Sequence, residues 1–354
     1  MNFNHSEDRR MLSDTLRRYF TDQYPVETRI ESAYTAPYHL PEKWQEIAEL
    51  GVLAALAPES HGGFGGTGFD ISVVFEELGR SLCNEPLLPA LLATRLLAHA
   101  ETSPLLAEVL SGETIAAVAV YEPGNFDDLS ALTTTATQTD SGWQVSGEKS
   151  VVYGAPQATK VLVLAQHAGG LGLFVTDTAE RAGYAMIDGG GAADLRFENA
   201  NAECILEDAR AAIEDALEWG RVALCAEAVG AMEVLIEMTV DYLKQRQQFG
   251  QPIALFQALQ HRIVDMAIEL EQARSITILA ASKLGTAEQK QFAAMAKNLI
   301  GRAALLVGEE ATQLHGGIGM TWEYAGSHYA KRLVMIDHQL GDRFYQLGRM
   351  LDAA

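Results

Sequence analysis

The side chains of this sequence that are best suited to chemistry lie between residues 246 and 250, in the order Arg-Gln-Gln-Phe-Gly. An arginine guanidinium can bind a phosphate through two parallel hydrogen bonds, and an amide side chain can hydrogen-bond an anion. Arg246, Gln248 and Phe249 therefore form a candidate anion-binding corner. A solvated corner of a helical hairpin would have the same composition, so this stretch alone leaves both interpretations open.

Two long helices must position this corner. Apolar residues follow a helical pattern from near Ile213 to Leu243, and Gly250 and Pro252 then end it, because glycine suits a helix exit and proline cannot extend a helix. From Phe256 onwards apolar residues again recur at intervals of three and four. We therefore expect a tight turn directly between the two helices.

The length and composition limit the possible functions. A chain of 354 residues allows two or three domains, and its 48% of hydrophobic residues is enough for a sizeable core. The net charge of −21, from 47 acidic and 26 basic residues, argues against nucleic acid and anionic membranes as partners. A phosphorylated ligand stays compatible with this charge, since it needs only a local cationic pocket.

The sequence also predicts where the protein works. Cys83, Cys204 and Cys225 show neither paired nor metal-ligand spacing, so we expect buried thiols in a reducing compartment and no metal site. The first ten residues, MNFNHSEDRR, are too polar for a secretory or transit segment. Without an apolar run of roughly 18 residues, no membrane span is expected. These features predict a cytoplasmic protein.

The periodicity of the sequence predicts an α+β multidomain fold. Residues 1–112 are expected to form an N-terminal helical domain, in which Ser6 is a plausible N-cap and Pro41 a first helical residue. Residues 207–354 are expected to form a bundle of helices of about 38, 30 and 27 residues, which suits packing against other subunits. Residues 113–206 alternate at period two and predict a small antiparallel β-barrel. Its expected strands are Ala116–Val120, Leu132–Thr139, Trp143–Ser146, Lys160–Ala165 and Leu171–Val175.

Two features of the first helical part invite functional interpretations that we do not favour. Gly63 to Gly68 has the spacing G-x-G-x-x-G after the strand-like stretch Val52–Ala57, as in a nicotinamide-binding domain. No acidic residue ending a second strand follows about 20 positions later, however. The acidic pair Glu76-Glu77 lies on an amphipathic helix and is expected on a solvated face.

Several of these motifs together resemble the acyl-CoA dehydrogenase family. Arg246-x-x-Phe-Gly, followed by Pro-Ile and Phe-Gln, resembles the start of the C-terminal bundle, and the segment from Gln313 to Tyr324 resembles a later Gln-x-x-Gly-Gly-x-Gly motif. The helix end Glu76-Glu-Leu-Gly-Arg80 matches as well. The resemblance implies an oxidoreductase with FAD. In this reaction a carboxylate removes the α proton of an acyl-CoA thioester while flavin accepts hydride from the β carbon.

The resemblance also implies site residues and partners. Residues matching the family's FAD contacts, which there reach the FAD of a neighbouring subunit, are Arg246, Gln248, Phe249, Ile253, Phe256, Gln257, Gln313, Leu314, Gly316 and Gly317. Arg221 matches an arginine at the active-site end of the first long helix, although a helix-surface salt bridge explains it equally well. Expected partners are an acyl-CoA from fatty acid or steroid degradation, an electron-transferring flavoprotein or similar acceptor, and further subunits that complete a homotetramer or heterotetramer.

The departures from the family pattern concern the flavin ring and the base. The ring-cradling segment reads Tyr121-Glu122-Pro123, with a tyrosine where a hydroxyl-bearing small residue is usual, and Val151-Val-Tyr153 replaces the strand that stacks on the ring. The family's catalytic glutamate stands at one of two places, which here are Leu340 and Gly220. Asp342, two residues after Leu340, is the candidate for a relocated base.

This pattern resembles the small subunits of heteromeric acyl-CoA dehydrogenases of the pimeloyl-CoA and steroid side-chain types, in which a larger partner brings the base. Three hypotheses follow from it. The chain is a flavoenzyme subunit that completes a shared site, a self-sufficient dehydrogenase that uses Asp342, or a non-catalytic binding protein on the same fold.

Overall fold

The computed structural model describes residues 6–100, 103–125, 128–140 and 142–352. These residues form two compact units, each assembled from segments that are distant in sequence. One unit holds the described residues of Met1–Arg29, Gly68–Cys83 and Arg221–Ala354, and the other holds those of Ile30–Thr67 and Asn84–Gly220. The predicted domain limits at residues 1 and 354 lie outside the described residues, and the division into three domains stays a prediction.

Helices account for most of the chain. Ser6 Oγ accepts a hydrogen bond from the Arg9 N–H at 3.3 Å, and Pro41 opens α3, so both predicted helix starts are confirmed. The three long helices α7, α8 and α9 contain 36, 27 and 27 residues. No helix among the described residues is both long and apolar enough to cross a membrane. In chain order, α1–α11 span Glu7–Gln23, Val26–Ala33, Pro41–Glu49, Gly68–Ser81, Leu87–Leu97, Pro104–Leu110, Arg210–Gln245, Gln257–Lys283, Gln289–His315, Ala325–His338 and Arg343–Asp352.

The strands of the second unit close into a barrel, because β4 pairs with both β2 and β5 and thereby joins the two ends of the row β2-β3-β7-β5. Strands β1 and β6 extend this ring by pairing with β4 and β7. The predicted barrel is present, but the pairings of β4 with β1 and β2 are parallel, so it is mixed and not antiparallel throughout. The strands β1–β9 span Ala116–Ala119, Thr135–Thr139, Gly142–Tyr153, Lys160–His167, Gly170–Thr176, Glu180–Ala185, Gly191–Leu206, Gln247–Gln248 and Gln251–Pro252.

Within the first unit, helix α4 and the part of α7 from Arg221 onwards touch through their backbones. A Cβ atom added to Gly79 would lie 1.9 Å from the carbonyl oxygen of Glu227, and one added to Gly230 would lie 2.0 Å from that of Glu76. Both distances are far shorter than any real carbon–oxygen contact. Only glycine therefore fits at either position, and this reciprocal pair fixes where the two helices cross.

The same crossing assembles a network of charged side chains. Arg274 of α8 binds Glu76 at 2.8 Å and Glu233 at 2.7 Å, and Arg80 contacts the same two carboxylates. Glu77 is buried and pairs with Arg17 of α1. The expectation of a solvated face for Glu76-Glu77 was wrong, because the helical pattern of α4 did not reveal the arginines that α1 and α8 bring to it.

The glycine-rich loop after residue 62 packs on its own chain. A Cβ atom on Gly63 would lie 2.0 Å from the carbonyl oxygen of Ala57, so the loop backbone lies directly on the preceding turn. The stretch expected to resemble a strand contains instead a single 3-10 turn at Ala54–Leu56. These glycines serve close backbone packing, which removes the structural basis for a nicotinamide-binding motif.

Candidate functional site

The predicted anion-binding corner is a two-residue β-hairpin placed between α7 and α8. Strands β8 and β9 pair Gln248 with Gln251, and the turn residues Phe249 and Gly250 have φ angles of 55° and 79°. Two successive residues with positive φ are the requirement of a tight hairpin turn. Helix α7 thus ends five residues before Gly250, and a hairpin replaces the direct helix–helix turn that we expected.

The side chains of this hairpin face solvent in the described chain. Phe249 is 89% exposed, and its ring contacts the Phe256 ring edge-on at a centroid distance of 6.0 Å. The Gln248 amide donates to the Gln247 carbonyl at 2.8 Å. The exposed Arg246 guanidinium makes no hydrogen bond or ion pair with any described residue. Because an exposed guanidinium without a partner among the described residues can bind an anion, the corner fits a phosphate-bearing ligand.

The glycine-rich segment begins where α9 ends. Gly316 has a positive φ of 65°, which favours glycine, and a Cβ atom on Gly316 or Gly317 would meet nothing within 4 Å. Leu314 is buried and anchors the segment, whereas Gln313 is exposed. The space beside the two glycines is therefore open to a ligand that approaches the backbone closely. Gly316 and Gly317 differ in this from Gly63, where the space of the missing side chain is filled by the protein's own backbone at Ala57.

His315 connects the two candidate motifs and was not predicted as a site residue. Its Nδ1 donates to the Ala311 carbonyl at 2.8 Å, so Nε2 accepts the hydrogen bond from the Tyr324 hydroxyl at 2.6 Å. The Tyr242 ring, one helical turn before Arg246, packs on the imidazole at a centroid distance of 4.7 Å. Burial lowers the pKa of His315 and favours this neutral form. The histidine inside a Gln-x-x-Gly-Gly motif was the available sequence signal.

The loop after α10, where the family pattern places a glutamate, is held by buried donors. Leu340 has a φ of 57° and its side chain is buried. The Leu340 carbonyl accepts hydrogen bonds from Arg221 Nε at 2.9 Å and Gln346 Nε2 at 3.1 Å. Arg221 is itself buried, so it is not the surface salt-bridge residue that one interpretation expected. It supports the backbone of this loop.

Lys297 of α9 is the second cation under the same loop. Its Nζ donates to the carbonyls of Asp337 at 2.8 Å and Gly341 at 3.1 Å, and the side chain is fully buried. Burial lowers the pKa of Lys297 to about 8, and the neighbouring Cys225 and Asp337 only partly oppose this effect. Of the side-chain donors to this loop, the sequence had marked Arg221 but neither Lys297 nor Gln346.

Asp342 caps the last helix. Its Oδ1 accepts hydrogen bonds from the backbone N–H groups of Phe344 at 2.9 Å and Tyr345 at 2.8 Å, which lie in the first turn of α11. This is the N-cap arrangement, in which a carboxylate satisfies otherwise unpaired helix donors. A role as relocated base would compete with these bonds.

The predicted ring-cradling segments meet within the barrel unit. Glu122 accepts hydrogen bonds from Thr133 and Thr134 N–H and from the buried Lys149 Nζ, the last at 2.9 Å. Burial would raise the pKa of Glu122, but these hydrogen bonds outweigh it and lower the pKa to about 2. The Ser150 N–H donates to the Tyr121 carbonyl at 2.9 Å. The Tyr121–Glu122 segment is thereby fixed to β3.

Comparisons with known proteins identify the family of this chain. Residues 6–101 match the model "Acyl-CoA dehydrogenase, N-terminal domain", and residues 209–337 match "Acyl-CoA dehydrogenase, C-terminal domain". Acyl-CoA dehydrogenase IpdE2 of Mycobacterium tuberculosis is 30% identical over 330 residues, which cover 92% of this chain and 91% of that protein. The chain belongs to the acyl-CoA dehydrogenase family.

Two solved structures are similar to this chain over nearly its whole length. The Tcur3481-Tcur3483 steroid ACAD G363A variant is 30% identical, with a TM-score of 0.87 over 98% of this chain and 97% of that one. The FAD complex of PigA is 26% identical, with a TM-score of 0.90 over 100% and 99% of the two chains. The predicted fold class, the FAD cofactor and membership of an oxidoreductase family are thereby confirmed. The contact residues, the base and the subunit type stay predictions.

Backbone strain in this member of the family coincides with three of the predicted site positions. A residue other than glycine rarely takes a positive φ, and such strain often accompanies a functional site. Three of the strained residues are Phe249 at the hairpin, Leu340 at the base position and Val151 at the ring cradle. The complete set in the described chain is Tyr38, Leu82, Val151, Asn199, Phe249 and Leu340.

Proposed function

We propose that this chain is an FAD-binding subunit for the α,β-dehydrogenation of an acyl-CoA thioester, in an assembly whose larger homologous partner supplies the catalytic glutamate. The proposal depends on one observation: a leucine, Leu340, stands at the position where the family pattern places the catalytic glutamate. This residue keeps the left-handed backbone and the buried supports of the loop, but its side chain cannot accept a proton. Gly220, at the alternative position for the base, has no side chain at all.

The described residues support binding functions for this chain. The Arg246 guanidinium would bind the pyrophosphate of FAD, Gln248 and Gln257 would bind polar groups of the cofactor, and the open backbone at Gly316 and Gly317 would receive the dinucleotide. Bound FAD supplies the redox chemistry by accepting hydride. The Leu340 N–H makes no hydrogen bond with a described residue, so it is available to stabilise charge on the thioester oxygen.

The similarity to other proteins supports the choice of partners. The similarity to a steroid ACAD favours a steroid or related acyl-CoA substrate, and the likeness to Tcur3481-Tcur3483 favours an assembly of several chains. We propose an electron-transferring flavoprotein or a similar protein as the electron acceptor. A heterotetramer with the larger homologue fits the missing base, whereas a homotetramer fits a self-sufficient enzyme. The cytoplasmic location stays a prediction.

The test compares the purified chain with the same chain co-expressed with a larger homologue that carries the glutamate. Reduction of a dye acceptor by steroid and medium-chain acyl-CoA thioesters measures activity, and absorbance measures bound flavin. Because a positioned general base contributes roughly 100- to 10,000-fold, the single chain should be slower by about this factor. Leu340→Glu in the single chain should restore a trace of activity.

Two outcomes would replace the proposal. Strong activity of the single chain that disappears in Asp342→Asn would show a relocated base and a self-sufficient dehydrogenase. Absence of flavin from both the single chain and the co-expressed assembly would favour a non-catalytic binding protein. Light scattering of the flavin-loaded protein measures the assembly at the same time, and a monomer that holds FAD would contradict an enzyme of several subunits.

A further inference from the structure

The strained Val151 lies in a β-bulge between β3 and β7. Lys149 pairs with Leu195 and Val152 pairs with Ala193, so two residues of β3 stand opposite the single residue Asp194. Val151 has a φ of 52°. A β-branched residue is a genuine outlier in this conformation, because its two γ carbons crowd the backbone. A bulge of this kind redirects the residues that follow it.

The side chain of Asp194 replaces the backbone pairing that the bulge loses. Its Oδ1 accepts the Val151 N–H at 3.0 Å and the Tyr184 hydroxyl of β6 at 3.1 Å. Asp194 forms no ion pair with a described residue, although the carboxylate is exposed. Two donors from two strands thus converge on one oxygen. Burial and the nearby Asp194 charge raise the pKa of Tyr184 to about 12, so its hydroxyl stays a donor.

The other side of the bulge is anchored as well. The Ser150 N–H binds the Tyr121 carbonyl, and Lys149 binds Glu122, so the two segments of the predicted ring cradle are joined directly before Val151. Strained backbone persists only where the surroundings fix it. With one side secured by Lys149 and Ser150, the hydrogen bond from the Val151 N–H to Asp194 Oδ1 holds the left-handed residue from the other side.

We propose that Asp194 is a positioning residue for the flavin. By holding Val151 in the bulge, it fixes the Val151–Tyr153 backbone in the conformation that receives the flavin ring, and Tyr184 orients its carboxylate. This inference rests on the proposed function, since it assigns the cradle to FAD. It adds that the cradle is built by a carboxylate from β7 and not by β3 alone.

The experiment compares Asp194→Ala, Asp194→Asn and the control Asp177→Ala in the flavin-loaded assembly. Asparagine retains an oxygen acceptor without charge, whereas alanine removes the acceptor. The control removes an exposed carboxylate of the same unit that pairs with Lys160 at 3.2 Å. We expect Asp194→Ala to weaken FAD binding about tenfold or more and to shift the flavin absorbance spectrum. Asp194→Asn should stay within a few-fold of the wild type, and the control should match it.

A double-mutant cycle with Val151→Gly tests, without relying on flavin, whether the hydrogen bond from Val151 to Asp194 holds the strained backbone. Glycine takes a positive φ at no steric cost, so Asp194→Ala should destabilise the Val151→Gly chain less than the wild type in denaturant unfolding. If Asp194→Ala lowers the free energy of unfolding equally in both chains, Asp194 does not hold the strained Val151 backbone. The cycle could show coupling while Asp194→Ala leaves flavin affinity and spectrum unchanged. In that case Asp194 would stabilise the fold but would not position the flavin. A wild-type assembly without flavin would refute the proposed function and this inference together.

Discussion

The hairpin at Arg246 and the loop at Leu340 both match family motifs, but they differ in how their polar groups are satisfied. At the hairpin the backbone is paired while the Arg246 guanidinium and the space beside Gly316 are left open. In the loop, buried donors from three different helices occupy the carbonyls of Leu340 and Gly341, and the leucine side chain is enclosed. Groups at the hairpin should therefore act on ligand binding, and groups under the loop should act on stability.

The largest effect is expected at the hairpin. Arg246→Ala removes a charge-assisted clamp on the pyrophosphate, which is worth on the order of 2 kcal/mol or about 30-fold in FAD affinity. The melting temperature of the flavin-free protein should not change, since no described residue pairs with this guanidinium. Lys244→Ala removes a nearby exposed cation and serves as the control. Unchanged flavin stoichiometry and affinity in Arg246→Ala would contradict a role of the hairpin in FAD binding.

Lys297, under the loop, is expected to affect the stability of the protein and not FAD binding. Because its folded pKa of about 8 lies below the ordinary value of 10.5, the unfolded chain binds more protons, and stability should rise with pH. Between pH 7 and pH 10 this group should add about 2 kcal/mol to the free energy of unfolding. Denaturant titrations of the wild type and Lys297→Met would show the difference, because Lys149 contributes equally to both. Parallel pH profiles would contradict a buried, charged Lys297.

The smallest effect is expected at Tyr324, which should contribute a little both to stability and to FAD binding. Tyr324→Phe removes the hydroxyl that binds His315 Nε2, a loss of about 1 kcal/mol or about fivefold in affinity. If this bond holds the glycine-rich segment in place, FAD affinity and melting temperature should both fall slightly. Tyr329→Phe, which removes a hydroxyl bond to the Arg80 carbonyl, should lower the melting temperature and leave the affinity unchanged.

Local patterns in the sequence predicted more of the fold than of the site. The three long helices follow from apolar periodicity, and the hairpin residues were found because their types and spacing match a motif. Strand β7 was missed because its clear alternation is short: Ala193, Leu195 and Phe197 are buried between exposed polar residues, and the pattern fades towards both ends of the strand. Strand β6 was missed because it is mostly exposed.

The supports of the site were missed because they come from distant parts of the chain. Lys297 reaches Gly341, 44 positions away, and Asp194 reaches Val151 across 43 positions. Neither residue belongs to a recognisable motif, and a buried lysine cannot be told from an exposed one by its neighbours in sequence. The error at Glu77 has the same origin.

The contact at Gly79 and Gly230 has a consequence for how this chain can be varied. Because main-chain atoms set the distance between α4 and α7, side-chain substitutions elsewhere on these helices leave that distance unchanged. The two glycines should accept no replacement in a saturation library, whereas the partly buried positions of α4, such as Ser72, should tolerate more. The spacing is also independent of rotamer populations, so warming below the unfolding transition should leave it nearly constant. A pair of spin labels on the outer faces of α4 and α7 would measure this directly.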